Sequence, residues 1–351
     1  MAQVEVGVLG ATGAVGQMFV RLLEHHPDFK LTWLAASDRS AGKRYAETAP
    51  WRLSDTRPAN AADIVVTTPT PGSGPKLVFS ALDASVAEQI EGDFAKAGHV
   101  VVSNARNYRM HPAVPLLVPE VNADHLGLNA VQAAHWKGLI VTNPNCSTVF
   151  LAMALAPLRQ FGLKKVMVTT MQAVSGAGYP GVPSLDILGN VVPFIGGEED
   201  KVESEPQRIL GKLVQFKAGA PAAVEPHPCV ISATTTRVPV IDGHTESISV
   251  ELEQKASAED LRQAWVSFRG KPQEYKLRSA PCQPIVYLEE ANRPQPRLDV
   301  ERDGGMTVSI GRLRACPVLG HKFVALGHNT IRGAAGAAIL NAELMQAEGL
   351  L

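Results

Sequence analysis

Cys146 stands in Asn143-Pro-Asn-Cys-Ser-Thr148, a polar turn between two apolar stretches. Before it, Gly138-Leu-Ile-Val-Thr142 reads as a buried strand, and after it Val149-Phe-Leu-Ala-Met-Ala-Leu-Ala156 reads as a helix packed on both sides. A sulfur at such an elbow lies at or near a helix N-terminus, where unpaired N–H groups and the positive end of the dipole favour thiolate. Thiolate is the nucleophile that covalent catalysis at a carbonyl requires. Most cysteines are instead small buried hydrophobes, but a polar turn is a poor core position. A thiol nucleophile needs a proton partner, and imidazole titrates near neutrality. His244 closes Arg237-Val-Pro-Val-Ile-Asp-Gly-His244, where the glycine lets a loop turn the ring outward. Gln172, at the end of a long alternating run, completes the group that stands out.

A second chemistry sits at the N-terminus. The strand Val4-Glu-Val-Gly-Val-Leu9 feeds Gly10-Ala-Thr-Gly-Ala-Val-Gly16 and then the amphipathic helix Gln17-Met-Phe-Val-Arg-Leu-Leu-Glu24. Glycines after a strand let the backbone approach a pyrophosphate, whose charge the helix N-terminus stabilises. The spacing is G-x-x-G-x-x-G, and its placement carries more weight than the glycines do. After the second strand, Leu31-Thr-Trp-Leu-Ala-Ala36, an NAD enzyme offers a carboxylate to the ribose hydroxyls. This chain offers Ser37-Asp38-Arg39-Ser40. Arg39 can grip a 2′-phosphate and the serines can donate to it, which favours NADP, although Asp38 could serve a diol.

The elements that must carry these residues follow in order. Leu77–Ser80 and Val100–Ser103 are good strands, Ile64–Val66 is a shorter one, and Asp83 is a candidate N-cap for a helix through Ala97. Strand–helix alternation up to Cys146 predicts a mainly parallel sheet with ligands at the C-terminal strand ends. Arg109 lies beyond such an end and is a candidate anion ligand. Past Cys146 the strands lengthen: Lys164–Ala173 alternates, Cys229–Val240 and Thr245–Leu252 are strand-like, and Ser257-Ala-Glu-Asp260 resembles a capping box. Strands also fit 285–288, 306–310 and 321–326. Long strands with few helices predict a second domain with a mixed or antiparallel sheet, able to dimerise by its open face.

At 351 residues the chain is too long for one ordinary core. Its net charge of −1 gives no electrostatic case for nucleic acid or an anionic membrane. No apolar segment approaches the roughly 18 residues needed to span a bilayer, and no basic leader precedes the first strand. The four cysteines (146, 229, 282 and 316) form no C-x-x-C pair, so neither zinc nor a disulfide framework is expected and the cytosol is the simplest compartment.

Taken together, the glycine turn, Asn143–Thr148, Gln172-Ala-Val-Ser-Gly-Ala-Gly178, Gly196-Gly-Glu-Glu-Asp-Lys201, Arg237–His244 and Asn329-Thr-Ile-Arg-Gly-Ala-Ala-Gly336 make nearly the whole chain resemble the aspartate-β-semialdehyde dehydrogenase family. Gly-Glu-Glu-x-Lys and Asp-Gly-His resemble its archaeal and fungal branch more than the bacterial one. The resemblance implies an α/β protein: a Rossmann-like dinucleotide-binding domain, residues 1–145 with 329–351, and an α+β catalytic and dimerisation domain, 146–328. It implies an NADPH-dependent, reversible reduction of L-4-aspartyl phosphate to L-aspartate 4-semialdehyde in lysine, threonine and methionine biosynthesis. Cys146 would form a thioester, His244 would be the acid/base, and Gln172 would orient the substrate. Arg237 would hold the substrate carboxylate and Glu198 its ammonium. Arg109, Lys201 and Asn145 would hold the phosphate. Gly10, Thr12, Gly13, Ala14, Val15, Gly16, Ser37, Arg39, Ser40, Ser175, Gly176 and Asn329 would hold NADP. A homodimer or homotetramer is implied, and no metal. Malonyl-CoA reductase, N-acetyl-glutamyl-phosphate reductase and glyceraldehyde-3-phosphate dehydrogenase share the thioester logic, and a non-catalytic NADP sensor is the rival of another class. Malonyl-CoA lacks the ammonium that Glu198 would meet, and a sensor has no need of Cys146, Gln172, Arg237 and His244 together.

Overall fold

The computed structural model of the chain describes residues 3–48, 50–215 and 222–351. Its first sheet holds β1 (Val4–Leu9), β2 (Phe29–Ala35), β3 (Leu77–Ser80), β4 (Val100–Ser103) and β5 (Leu139–Thr142) in the order β2-β1-β3-β4-β5, all parallel. Strands β3 and β4 are buried at every position, as strands covered on both faces must be. Helices α1 (Ala14–Leu23) and α2 (Ala84–Ala97) connect them, and Asp83 caps α2 by accepting the Ser85 N–H. The strand order reverses between β1 and β3, so the glycine turn after β1 opens at the topological switch point.

The expected strand at Ile64–Val66 forms only single bridges, Arg44 to Val65 and Ala35 to Thr67. Pro69 and Pro71 follow at once, and without N–H groups they cannot continue a ladder.

The second sheet is mixed, with order β11-β12-β13-β10-β6-β9. It comprises β6 (Leu163–Gln172), β9 (Val230–Arg237), β10 (His244–Leu252), β11 (Ile285–Leu288), β12 (Val308–Cys316) and β13 (Gly320–Gly327). A small antiparallel pair, β7 (Lys212–Val214) and β8 (Ala223–Glu225), stands apart. One face of the large sheet is covered by α3 (Cys146–Leu155), α4 (Glu199–Ile209) and α5 (Ala258–Ser267), and a Ser257–Asp260 capping box opens α5. Along β6 and β10 the other face carries Met167, Thr169 and Ser247, all exposed.

Helix α3 is buried from Ser147 to Leu155, as an all-round apolar helix should be. The chain's end then returns to the first sheet. A π-turn over Ile331–Ala335 leads into α6 (Gly336–Ala347), whose Ala338, Ile339, Leu340 and Leu344 share one core with Val6, Phe19 and Phe79. Arg332, fully buried, docks this return by a bidentate pair with Glu120 at 2.9 and 2.6 Å. Among the described residues no helix is long and apolar enough to cross a membrane.

Candidate active site

Asn145 is the N-cap of α3: its Oδ1 accepts the Ser147 and Thr148 N–H groups at 3.0 and 3.3 Å. Cys146 is therefore the first helical residue, with Sγ 3.3 Å from His244 Nε2. The ring does not turn outward on a loop, as the glycine before it suggested. His244 is the first residue of β10, its side chain faces the covered side of the sheet, and it is 0% exposed. The dipole argument for a resting thiolate also gives way. Desolvation, helped by the Glu198 carboxylate, pushes the thiol up to about 12 against the pull of the Arg109 and Arg237 guanidiniums. Burial, with Arg237 and His328 beside it, holds the imidazole down at about 3. Both shifts favour the uncharged forms, thiol and imidazole, over the ion pair.

The other residues named from sequence interlock around this pair. Glu198 Oε1 accepts Asn145 Nδ2 at 2.6 Å and Gln172 Nε2 at 3.2 Å, while its Oε2 accepts Lys201 Nζ at 2.9 Å. Burial alone would raise this carboxyl; Lys201 and the two amide donors outweigh it and keep Glu198 ionised. Arg237, at the end of β9, donates to the Ala173 carbonyl at 2.8 Å. Gly176 packs over both groups: a Cβ there would lie 2.8 Å from Arg237 Nη1 and 2.9 Å from His244 Cε1. Asn329 spans the two halves, accepting the Gly243 N–H at 2.8 Å and donating to Ser175 Oγ at 2.7 Å. Gly333, in the π-turn, backs the nucleophile, since a Cβ there would stand 2.8 Å from Cys146 Cβ.

Arg109 is buried and held by Glu205 Oε1 at 2.9 Å and the Asn104 carbonyl at 2.8 Å, leaving its Nε buried and without a partner. Glu205 was not singled out from the sequence, yet its Oε2 also accepts the Asn145 N–H at 2.6 Å. One carboxylate thereby fixes both the anion ligand and the cap of the nucleophile's helix. Nothing in its local run of charged residues distinguishes it.

The cofactor side opens at the switch point as a cavity of about 730 Å³ lined by Gly10, Thr12, Gly13, Ala14, Val15, Ser37, Asp38 and Arg52 among others. Gly10 has φ +75°, and a Cβ there would press on the Ala81 carbonyl at 2.6 Å. Gly16 lies behind the lining, pressed against the Gly10 carbonyl. Arg39 is exposed and Ser40 buried, and neither lines this cavity. Arg52 does, its guanidinium stacked 3.5 Å above the Tyr179 ring on the far wall. Beneath the cradle, Glu91 accepts the Ser80 and Ser103 hydroxyls at 2.6 and 2.7 Å, and burial raises its carboxyl to about 7. A turn of small residues opening an uncapped helix, with an arginine beside it, fits a dinucleotide's phosphates.

The chain is also similar to known proteins. Residues 5–128 match the family profile described as semialdehyde dehydrogenase, NAD binding domain, and residues 155–332 the one described as semialdehyde dehydrogenase, dimerisation domain. An aspartate-semialdehyde dehydrogenase of Methanothermobacter thermautotrophicus is 51% identical over 349 residues, covering 97% of this chain and 99% of the relative. One of Saccharomyces cerevisiae is 45% identical over 359 residues, covering 98% of each. The crystal structure of Candida albicans aspartate semialdehyde dehydrogenase with NADP is similar at TM-score 0.90 and 43% identity over 100% of both chains. Aspartate semialdehyde dehydrogenase II of Vibrio cholerae is more distant, at TM-score 0.76 and 26% identity over 99% of each.

Proposed function

The chain belongs to the aspartate-semialdehyde dehydrogenase family, and from that premise we propose that it reduces L-4-aspartyl phosphate to L-aspartate 4-semialdehyde with NADPH, reversibly, through a thioester on Cys146. The pathway role is the supply of that aldehyde to lysine, threonine and methionine synthesis. The observation that carries this reading is the Cys146–His244 contact at 3.3 Å, flanked by one buried guanidinium, Arg237, and one buried carboxylate, Glu198. A guanidinium and a carboxylate beside a thiol are what an α-amino acid's two charged groups need while its side-chain carbonyl is attacked.

Cys146 attacks the acyl carbon and phosphate departs. Arg109, with its unpartnered Nε, Lys201 and the Asn145 side chain hold that phosphate. Gln172 orients the acyl group, and His244 Nε2 faces the oxyanion. When bound, reduced nicotinamide supplies hydride to the thioester carbon. The thiohemiacetal then collapses to the aldehyde and free sulfur. Ser175, Gly176 and Asn329 border the nicotinamide side, the glycine turn and Arg52 receive the pyrophosphate, and Ser37 with Arg39 and Ser40 receives the 2′-phosphate.

On this reading the cofactor domain is 1–145 with 329–351, the catalytic domain is 146–328, and the exposed face of the second sheet pairs two copies as a homodimer. The four free cysteines suit a reducing cytosol. The deciding assay supplies NADP, aspartate semialdehyde and inorganic phosphate. Phosphate-dependent NADP reduction is expected; reduction independent of phosphate, or NADPH oxidation faster with malonyl-CoA than with aspartyl phosphate, would overturn the assignment.

A further inference from the structure

We propose that Glu246 is a positioning residue: with the Thr170 hydroxyl it holds one buried water, and through Thr170 it fixes the amide of Gln172. The role of Gln172 in turn rests on the reaction proposed above.

The covered face of the second sheet is laid out in rows across β9, β6 and β10. Arg237 pairs with Gln172, and His244 extends the same row on β10, so these three side chains form the row that meets the substrate. Two residues back along each strand, about 7 Å behind, Thr235 pairs with Thr170 and Thr170 with Glu246. All three are 0% exposed. Behind them the next row is aliphatic, with Val168 beside Ile248.

Glu198 is ionised and can only accept, so Gln172 must turn Nε2 towards it, at 3.2 Å. The second hydrogen on Nε2 goes to Thr170 Oγ1 at 3.3 Å. Gln172 thereby uses both donors and keeps Oε1 for the substrate, as long as Thr170 aims a lone pair at it. A hydroxyl that accepts in this way must send its own hydrogen elsewhere. Directly opposite, where facing Cβ atoms lie about 4.5–5.5 Å apart, stands Glu246.

Both Glu246 oxygens are buried and without a partner in the protein. Buried polar atoms in this state are met by ordered water, which needs polar partners on more than one side. Thr170 and Glu246 supply two. The first turn of α3, which the Cys146–His244 contact sets over this end of the sheet, adds the unpartnered Ser147 and Thr148 hydroxyls. Burial raises the Glu246 carboxyl well above the usual carboxylate range, so it keeps its proton and can both donate and accept.

Packing does not explain Glu246. Its aliphatic neighbours would accommodate leucine without leaving a polar group unmet, so a carboxyl there weakens the fold. What it adjoins is the row that meets the substrate, and departures from local packing rules collect at such places.

Full-length Glu246→Leu, Glu246→Gln, Thr170→Val and the Glu246→Leu/Thr170→Val double variant are compared with the parent in kcat, KM and thermal unfolding. Glu246→Leu should melt no lower than the parent yet lose about ten-fold in kcat, the effect of one hydrogen bond, with the KM for NADP unchanged. Glu246→Gln keeps a donor and an acceptor in the same place and should stay within about two-fold of the parent. Thr170→Val should lose as much as Glu246→Leu, and the double variant no more than either, because both act on Gln172 by one route. An undiminished kcat in Glu246→Leu, a glutamine variant as slow as the leucine one, or losses that add in the double variant would overturn the proposal. So would a leucine variant that melts well below the parent, since its slower rate would then reflect packing. A crystal structure of the substrate-free parent gives a reading independent of the substrate. One water should lie about 3 Å from both a Glu246 oxygen and Thr170 Oγ1, and a site without it removes the clasp. Turnover of NADP, aspartate semialdehyde and phosphate by the parent is the control; its failure would strike the proposed reaction and leave the water standing.

Discussion

The cofactor cradle is made of main chain: Gly10 turning with positive φ, Gly13 opening α1 without a side-chain cap, and Ser37 and Asp38 exposed along the rim. The acyl-transfer centre is made of side chains brought from α3, the ends of β6 and β9, the start of β10 and α4, nearly all buried and each held by another. The first binds by presenting backbone dipoles at an open edge, and loses little when one side chain changes. The second relies on fixed charges in a dry setting, where every partner removed leaves another unsatisfied. Tolerance and fragility should therefore divide along this line.

The largest effect expected is at the nucleophile. Cys146→Ala should lower turnover by about four orders of magnitude or more while NADP affinity, measured by fluorescence titration, stays within about two-fold. A matching loss of cofactor binding would mean that the two regions are one. Next, Glu205→Ala leaves Arg109 and the Asn145 N–H without their carboxylate, and should cost about 3 kcal/mol in denaturant unfolding with a raised phosphate KM. A variant as stable as the parent would place no weight on that clasp.

The cradle's one buried acid gives a pH signature. Glu91 is raised from 4.5 to about 7 in the folded chain, so the native state holds its proton more tightly than the unfolded state. That stabilisation is full below the unfolded value and is lost as pH rises through the folded one. Wild-type stability relative to Glu91→Gln should thus fall by about 3 kcal/mol between those limits and stay level above them. Glu246 shifts the same way in both proteins, so the difference isolates Glu91; a flat difference would place an ionised carboxylate there. The smallest effect belongs to the rim. Arg52→Ala should weaken NADP binding by about ten-fold, and Arg39→Ala by less. The reverse order would make Arg39 the stronger of the two phosphate contacts, and equal efficiency with NAD would remove the 2′-phosphate contact from Arg39.

The same contrast explains what could be read in advance. The cradle is local in sequence, a strand, three glycines and a helix, so its spacing nearly dictates its shape. Strands β3, β4 and β11 were legible as apolar runs, and Asp83 and Ser257 announced the helices they cap. Strand β12 runs on from Ile310 to Cys316 through Arg312 and Arg314, polar residues that broke its apolar pattern. Cys146 was legible because a polar turn between apolar runs is conspicuous. Glu205 and Arg52 were not, because their partners, Arg109 and the Asn145 N–H for one and the Tyr179 ring for the other, lie far along the chain. The expectation of a thiolate meets an opposing influence for that reason: the helix terminus is local, whereas the desolvation that raises the thiol is contributed by the whole fold.

Gly333 sets the wall behind the sulfur, and Asn329 and Arg332 come from the same closing stretch. During synthesis the nucleophile leaves the ribosome long before that wall exists. A nascent chain therefore carries an ordinary, alkylatable cysteine, and acquires an enzyme's thiol only when its own tail arrives.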